Sequence, residues 1–386
     1  MKQIFSLFIS FAVIGLAPSQ GLLGLGVNQK LSSIENQNNS SASSQYYSPS
    51  NFSEGLARIQ IDDKWGYIDK TGKLVIQPQF DGASDFSKGI ARVLVNRKWG
   101  YIDKAGNFVI QPQFDYAATF SEGLALVSIG NQAFYIDSKG KRVLQPKLSA
   151  FTMFSPQRAD AANFYEGLAR IKIGDKSGYI DKTGKLVIPT QFDVAEAFSS
   201  GRAWVQIKGA GRGKYGYIDK TGKFVIKLDQ LKLYAGSKFS EGLAAVGYNS
   251  KRGYINKTGK VVIKPQFDYA FNFSEGMAWI AIGEKSGYVD KTGKVVISPQ
   301  FTSASDFSSG LASVSIGNQR GYIDKTGKML IPPQFDYTAK FSDSLALVSI
   351  GNKCGYIDKT GKMTIQLHQS LAPMIRESAW CRVEWQ

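Results

Sequence analysis

The chain has 386 residues, 43% of them apolar and 12% aromatic, which is enough apolar matter for one large domain or two ordinary ones. Gly at 40 residues, with 24 Phe and 18 Tyr, leans toward β structure, and only two cysteines, Cys354 and Cys381, exclude a disulfide framework. A formal charge of +16 favours anionic partners such as nucleic acid, anionic lipid or acidic glycan, or else serves solubility alone.

The N-terminus reads as a secretory signal over residues 1–19. Met1-Lys2-Gln3 is a short positive start, Ile4 to Leu16 is an apolar run, and Ala17-Pro18-Ser19 supplies small residues for cleavage. The run is too short to span a bilayer as a helix. Gly21 to Val27 is a second apolar patch, so membrane contact is expected only through this signal if it stays uncleaved. Export, to a periplasmic or extracellular site, makes nucleic acid an unexpected partner. Residues 20–51 are rich in Asn, Gln and Ser and read as a flexible linker.

From residue 52 the chain repeats itself. KWGYIDKTGKLVIQPQFD at Lys64 returns as KWGYIDKAGNFVIQPQFD at Lys98, KSGYIDKTGKLVIPTQFD at Lys176 and KSGYVDKTGKVVISPQFT at Lys285. Nine tyrosines align: Tyr67, Tyr101, Tyr135, Tyr179, Tyr217, Tyr254, Tyr288, Tyr322 and Tyr356, at steps of 34, 34, 44, 38, 37, 34, 34 and 34. A period of 34 also fits a helical array. Gly and Pro inside every unit, and the absence of a helical apolar stripe, reject it.

Each unit, taken in chain order, begins with an alternating strand such as Leu56-Ala57-Arg58-Ile59-Gln60-Ile61, then a second, Trp65-Gly66-Tyr67-Ile68. Asp69-Lys70-Thr71-Gly72 is a hairpin turn, in which Asp accepts backbone hydrogen bonds and Gly takes a positive φ. That glycine is present in every copy: Gly72, Gly106, Gly140, Gly184, Gly222, Gly259, Gly293, Gly327 and Gly361. The third strand, Leu74-Val75-Ile76, is apolar on both faces and reads as covered on both sides. PQFDxAxxFSEG is a return loop anchored by Phe80 and Phe86. The fold class expected is all-β: tandem three-stranded antiparallel meanders over residues 52–371, stacked so that neighbours cover one another.

KWGYIDKTGK followed by VIxPQFDxAxxFSEGLAxV resembles the WG-repeat family, also called KWG repeats, from residue 52 to about 366. Phe134, the segment after Ile226, and Ser344 depart from the pattern. The resemblance implies a binding platform and brings no catalytic residues. Residues 372–386 read as a terminal capping strand, because Glu377 to Val383 is similar to the start of a unit at Glu275. A chain that ends its last sheet with its own strand, in nine units, favours an open β-solenoid or superhelix; the alternative is a closed propeller-like ring.

Chemistry-bearing residues are few. The turn aspartates, Asp69 and its equivalents, become Asn256 in the sixth copy, which suits a turn and not an acid. The slot of Trp65 and Trp99 holds Ala133, Ser177, Tyr215, Arg252, Ser286, Arg320 and Cys354 elsewhere and reads as half-exposed; the Gly after it marks a close backbone approach. The tyrosines read as an inter-repeat spine, with sugar stacking as the alternative. Lysines recur at both ends of the turn: Lys70, Lys73, Lys104, Lys182, Lys185, Lys220, Lys223, Lys257, Lys260, Lys291, Lys294, Lys325, Lys328, Lys359 and Lys362. With Lys139 and Lys141 they exceed the turn aspartates by nine, making a candidate rail for a polyanion. The lone His368 builds no zinc site, and no metal, cofactor or nucleotide motif occurs. Glu54, Glu122, Glu166 and Glu275 recur in FSEG, but Lys88, Ser200 and Ser309 share their slot, which reads as a solvated loop.

The expectation is therefore an exported, non-enzymatic binding platform for a protein or an anionic envelope polymer, with a glycan-degrading hydrolase as the alternative.

Overall fold

The computed structural model describes residues 46–47, 49–145, 163–209, 213–234, 236–351, 353–367 and 381–382. The signal segment, most of the linker, His368 and most of the tail lie outside these. The described chain is all β, and nine consecutive antiparallel sheets follow the nine copies.

The second sheet serves as the type. Its strands are Gly82–Ala83, Ala91–Val95, Lys98–Ile102 and Phe108–Phe114, paired in that order. The meander of three is therefore a sheet of four. The expected return loop contains the extra strand: Ala83 pairs with Val93 and Gly82 with Leu94. In the first sheet, Ser50 donates its amide to the Arg58 carbonyl in the equivalent place, and in the sixth a bridge from Tyr234 to Gly247 does so. Only Asp81 separates the last strand of one sheet, Leu74–Phe80, from the first strand of the next. The junctions after blades 2, 4, 6, 7 and 8 are equally short, and those after blades 3 and 5 are longer.

Local sequence explains the irregularities. Trp65 pairs with Phe80 and Tyr67 with Ile76, so the outer strand carries extra residues at Gln77 and Pro78. This bulge lies on Gly66. A Cβ there would stand 2.5 Å from the Ile76 carbonyl oxygen, so the close approach read from the sequence is real. In the turns, Asp69 Oδ1 accepts from the Thr71 amide, the Thr71 hydroxyl and the Lys73 amide. Asn256 Oδ1 makes the same three bonds with Thr258 and Lys260. The glycine that closes the turn has φ 83° at Gly184, where an added Cβ would also overlap Leu144 of the preceding blade.

The core is divided among the blade interfaces. Tyr67, Ile76, Phe80, Ala83, Phe86, Val93 and Ile102, from blades 1 and 2, form one cluster. Comparable clusters follow at each later junction. The ninth joins Phe52, Ala57, Ile59 and Ile68 of blade 1 to Leu345, Cys354, Tyr356, Ile365 and Leu367 of blade 9. All nine repeat tyrosines are fully buried. Tyr67 donates its hydroxyl to the Ser84 carbonyl and packs 4.8 Å from the Phe86 ring of blade 2. They are the inter-repeat spine, out of reach of any sugar.

The expected open array is replaced by a closed, nine-bladed propeller. At the seam Tyr356 donates to the Ser50 carbonyl, Phe52 packs 4.7 Å from the Tyr356 ring, and Ser342 Oγ donates to the Phe52 carbonyl. Ile365 lies under Gly72 as Ile76 lies under Gly106. These are the contacts that join blade 1 to blade 2. Among the described residues the ring closes by packing, with no strand of blade 1 paired into the last sheet. Cys381–Arg382 of the tail pairs with Tyr46–Tyr47 in a separate two-stranded sheet. Cys354 is buried and is not a free thiol.

Candidate binding surface

Two surfaces follow from this ring: an outer wall of turns and outer strands, and an axial mouth formed by the short strands and the loop after them.

The outer strand alternates cleanly. In Lys73-Leu74-Val75-Ile76-Gln77-Pro78-Gln79-Phe80, Lys73, Val75, Gln77 and Gln79 are exposed, while Ile76 and Phe80 are buried. The sequence reading had both faces covered. The interface between blades needs only one face of this edge strand, so the other meets solvent. Val75 is 42% exposed, and Val109, Val143, Val225, Val262, Val296 and Leu330 repeat it.

Every lysine of the proposed rail is exposed. Six of the eight in the first turn slot, all but Lys70 and Lys257, are tied to the preceding blade. Lys104 Nζ lies 3.2 Å from Glu54 Oε2, and Lys182, Lys220, Lys291 and Lys325 pair in the same way with Glu122, Glu166, Glu241 and Glu275. Lys359 donates to the Ser309 carbonyl, where the glutamate is absent. The FSEG slot is a solvent-facing loop position, as read, that also carries a contact between blades. Glu54 also accepts from the Lys88 and Gly89 amides at 2.5 and 2.8 Å. Burial pushes its carboxyl up, but the Gly89 amide, Lys104 and the Lys88 amide together hold it below the ordinary value. It latches one blade to the next. At the seam Asp343 Oδ2 takes its place and accepts from the Gly55 amide at 2.6 Å. The signal available in the sequence was the joint recurrence of this Glu with the first-slot Lys of the next copy, 50 to 60 residues on.

The Asp of QFD is a second latch that the sequence reading missed. Asp81 holds Lys64 of its own blade at 2.5 Å and accepts from the Asn96 amide of the next at 2.8 Å. Asp115, Asp193 and Asp268 pair likewise with Lys98, Lys176 and Lys251.

Five latch glutamates and Asp343 share the rail's edge, so its surplus of nine positive charges falls to three. The closed ring also turns the rail into a belt. The second-slot lysines, Lys73, Lys141, Lys185, Lys223, Lys260, Lys294, Lys328 and Lys362, make no ion pair with a carboxylate among the described residues.

The Trp slot is mixed. Trp65, Trp99, Arg252 and Arg320 are half-buried, but Ala133, Ser177, Tyr215, Ser286 and Cys354 are buried. Arg58 stacks over Trp65 and Arg92 over Trp99, each at 5.0 Å.

The axial mouth is built from residues just before the buried Phe of each FSEG. One cavity of about 300 Å³ is lined by Arg58 of blade 1, Ser84, Asp85 and Arg92 of blade 2 and Thr119 of blade 3. Three blades share one cavity only where the ring converges on its axis. Arg58 Nε lies 3.0 Å from Asp85 Oδ1 there, so that carboxylate has a cationic partner.

The WG-containing repeat pattern matches residues 44–65, 65–99, 99–132, 178–209, 215–251, 253–285, 287–319 and 321–354. The chain belongs to the WG-containing repeat family. No curated protein matches the sequence of this WG-repeat chain. Its fold is similar to the crystal structure of a eukaryotic initiation factor, 13% identical, with 85% of this chain and 96% of that one covered and a TM-score of 0.57. Apo AztD from Citrobacter koseri, 12% identical over 84% of this chain and 94% of that one, has a TM-score of 0.39. The first of these is a likeness of fold alone.

Proposed function

We propose that this WG-repeat protein is an exported, non-catalytic binding platform whose outer wall engages an anionic polymer of the cell envelope. One observation carries the reading. Around the closed ring, eight exposed second-slot lysines make no ion pair with a carboxylate among the described residues, each on the solvent side of an outer strand. Summed attraction from such a belt suits a flexible polyanion and weakens with salt. Export is read from the N-terminal signal pattern.

A protein partner is the second reading. It is favoured by the aliphatic stripe of Val75, Val262, Val296 and Leu330 that runs beside the lysines, since protein interfaces mix apolar centres with polar rims. Against the hydrolase alternative, Glu54, Glu122, Glu241 and Glu275 are held below the ordinary value by latch contacts, whereas a general acid needs the opposite shift.

The test is retention of the full chain on heparin-type resin across a salt gradient, beside a glycanase screen. Lys294→Glu with Lys328→Glu is expected to lower the eluting salt clearly. Salt-insensitive retention, or elution unchanged by the pair, overturns the polyanion reading. Turnover abolished by one carboxylate substitution overturns the non-catalytic one.

A further inference from the structure

The axial mouth over blades 6 to 9 differs in kind from the mouth over blades 1 to 3. Each blade offers one residue just before its buried Phe, and in blades 6 to 9 these are Lys238, Asn272, Asp306 and Lys340, spaced 34 apart. The phenylalanines that follow are packed 4.8–4.9 Å from the repeat tyrosines of the preceding blades. The backbone at this slot is therefore fixed while its side chain is free to vary.

The contrast with blade 2 is specific. Asp85 is met by Arg58 from the second strand of the blade before it. Asp306 occupies the equivalent slot in blade 8, and the residue equivalent to Arg58 is Trp279. An indole N–H reaches the carboxylate, but it brings no charge. Asp306 has no ion pair among the described residues. It is open to solvent, yet walled by protein, and burial raises its pKa against the pull of Lys340, Trp279 and Lys238. Lys238 is two blades away and Lys340 one, at the equivalent slots of the same mouth.

Beside them stands an aromatic platform. Phe271 lies flat on Trp279 at 3.4 Å with 9° between the planes. Phe271 is 36% exposed and Tyr269, two residues earlier on the same strand face, is 61% exposed. A rigid aromatic face next to a carboxylate acceptor, an amide and two ammonium groups fits a polyhydroxylated ring that carries negative charge. The aromatic face takes the ring's apolar side, a few placed polar groups fix its orientation, and two lysines against one aspartate leave the site net positive.

We propose that the axial mouth over blades 6 to 9 is a binding site for an acidic pyranose. Phe271, backed by Trp279, stacks on the sugar ring, Asp306 and Asn272 hydrogen-bond its hydroxyls, and Lys238 and Lys340 hold its carboxylate. This site is separate from the outer belt and stands or falls without it.

The experiment titrates the full chain with a six-residue polygalacturonate oligosaccharide and with its carboxyl-reduced counterpart, by calorimetry and by tryptophan fluorescence. Saturable binding of the acidic hexamer is expected, with a change in emission from stacking next to Trp279. Phe271→Ala and Asp306→Asn are each expected to weaken it roughly tenfold or more. Lys340→Gln is expected to weaken the acidic hexamer while leaving the reduced one as it was. Both Phe271 and Asp306 are exposed, and circular dichroism melts verify that each variant is folded. Absence of saturable binding overturns the proposal. So does equal affinity for the reduced hexamer, or binding that survives both Phe271→Ala and Asp306→Asn.

Discussion

At the scale of single residues, the turn carboxylates show how a repeated letter acquires its reason. Asp290 Oδ1 accepts from the Thr292 amide and hydroxyl and from the Lys294 amide. The Thr292 hydroxyl is the main cause that holds its carboxyl below the ordinary value of 3.8. Asp69, Asp181, Asp219, Asp324 and Asp358 are lowered in the same way. A carboxyl lowered in the folded state contributes stability that is full above its unfolded value and is lost as pH falls through the folded one. Thermal stability is therefore expected to hold from neutrality to about pH 4 and to fall steeply below it. Asn256 already performs the same turn without a charge. Asp290→Asn should then leave the melting temperature at pH 7 within about 2 °C and lessen the fall below pH 4, as read by thermal melts across pH. A flat acid profile in the parent protein would refute this assignment.

At the scale of the element, the blade is a four-stranded sheet that is incomplete alone. Its first strand is laid down by the segment that leaves the previous blade, and its tyrosine is buried by the next. Tyr288 donates to the Ser305 carbonyl at 2.8 Å and rests 4.8 Å from Phe307, both in blade 8. Tyr288→Phe keeps the ring and leaves that carbonyl without its donor, a loss of about 1–2 kcal/mol. Urea unfolding is expected to register it as a lower midpoint with an unchanged slope. A neutral substitution would mean that the hydroxyl has no part in joining blades. The strands themselves, the turn and the role of the Gly after the Trp slot were legible, since alternation, Asp-x-x-Gly and an interior Gly each have a local cause. The fourth strand was not. Gly82-Ala83 is too short to alternate, and it is recognisable only from its pairing partners in the next copy.

At the scale of the whole molecule, the ring closes because the contacts between blades 9 and 1 are those between every other pair. A closed propeller is compact, and a globular body of the residues from Tyr46 onward has a radius of gyration of about 20 Å. Small-angle scattering of the residues from Tyr46 onward is expected to fall close to that value with a disc-like profile. A much larger radius or a rod-like profile would restore the open array. The belt also changes meaning at this scale. Six of its eight first-slot lysines serve the latches, so what reaches a partner is chiefly the second slot together with the outer-strand aliphatics.

The sequence by itself determined the unit, its number and its β character, because hydrogen-bonded turns, alternation and interior glycines act within a few residues. It also determined that the aligned aspartates are turn formers, since one copy substitutes Asn. Only the tertiary structure decided that nine units close on themselves, because closure depends on the angle between neighbours summed around the ring. It alone decided that Glu54 and Asp81 are latches, since their partners lie on another blade. It also placed Asp306 opposite Trp279 where Asp85 meets Arg58, a difference between two copies that becomes visible only once blades face one another.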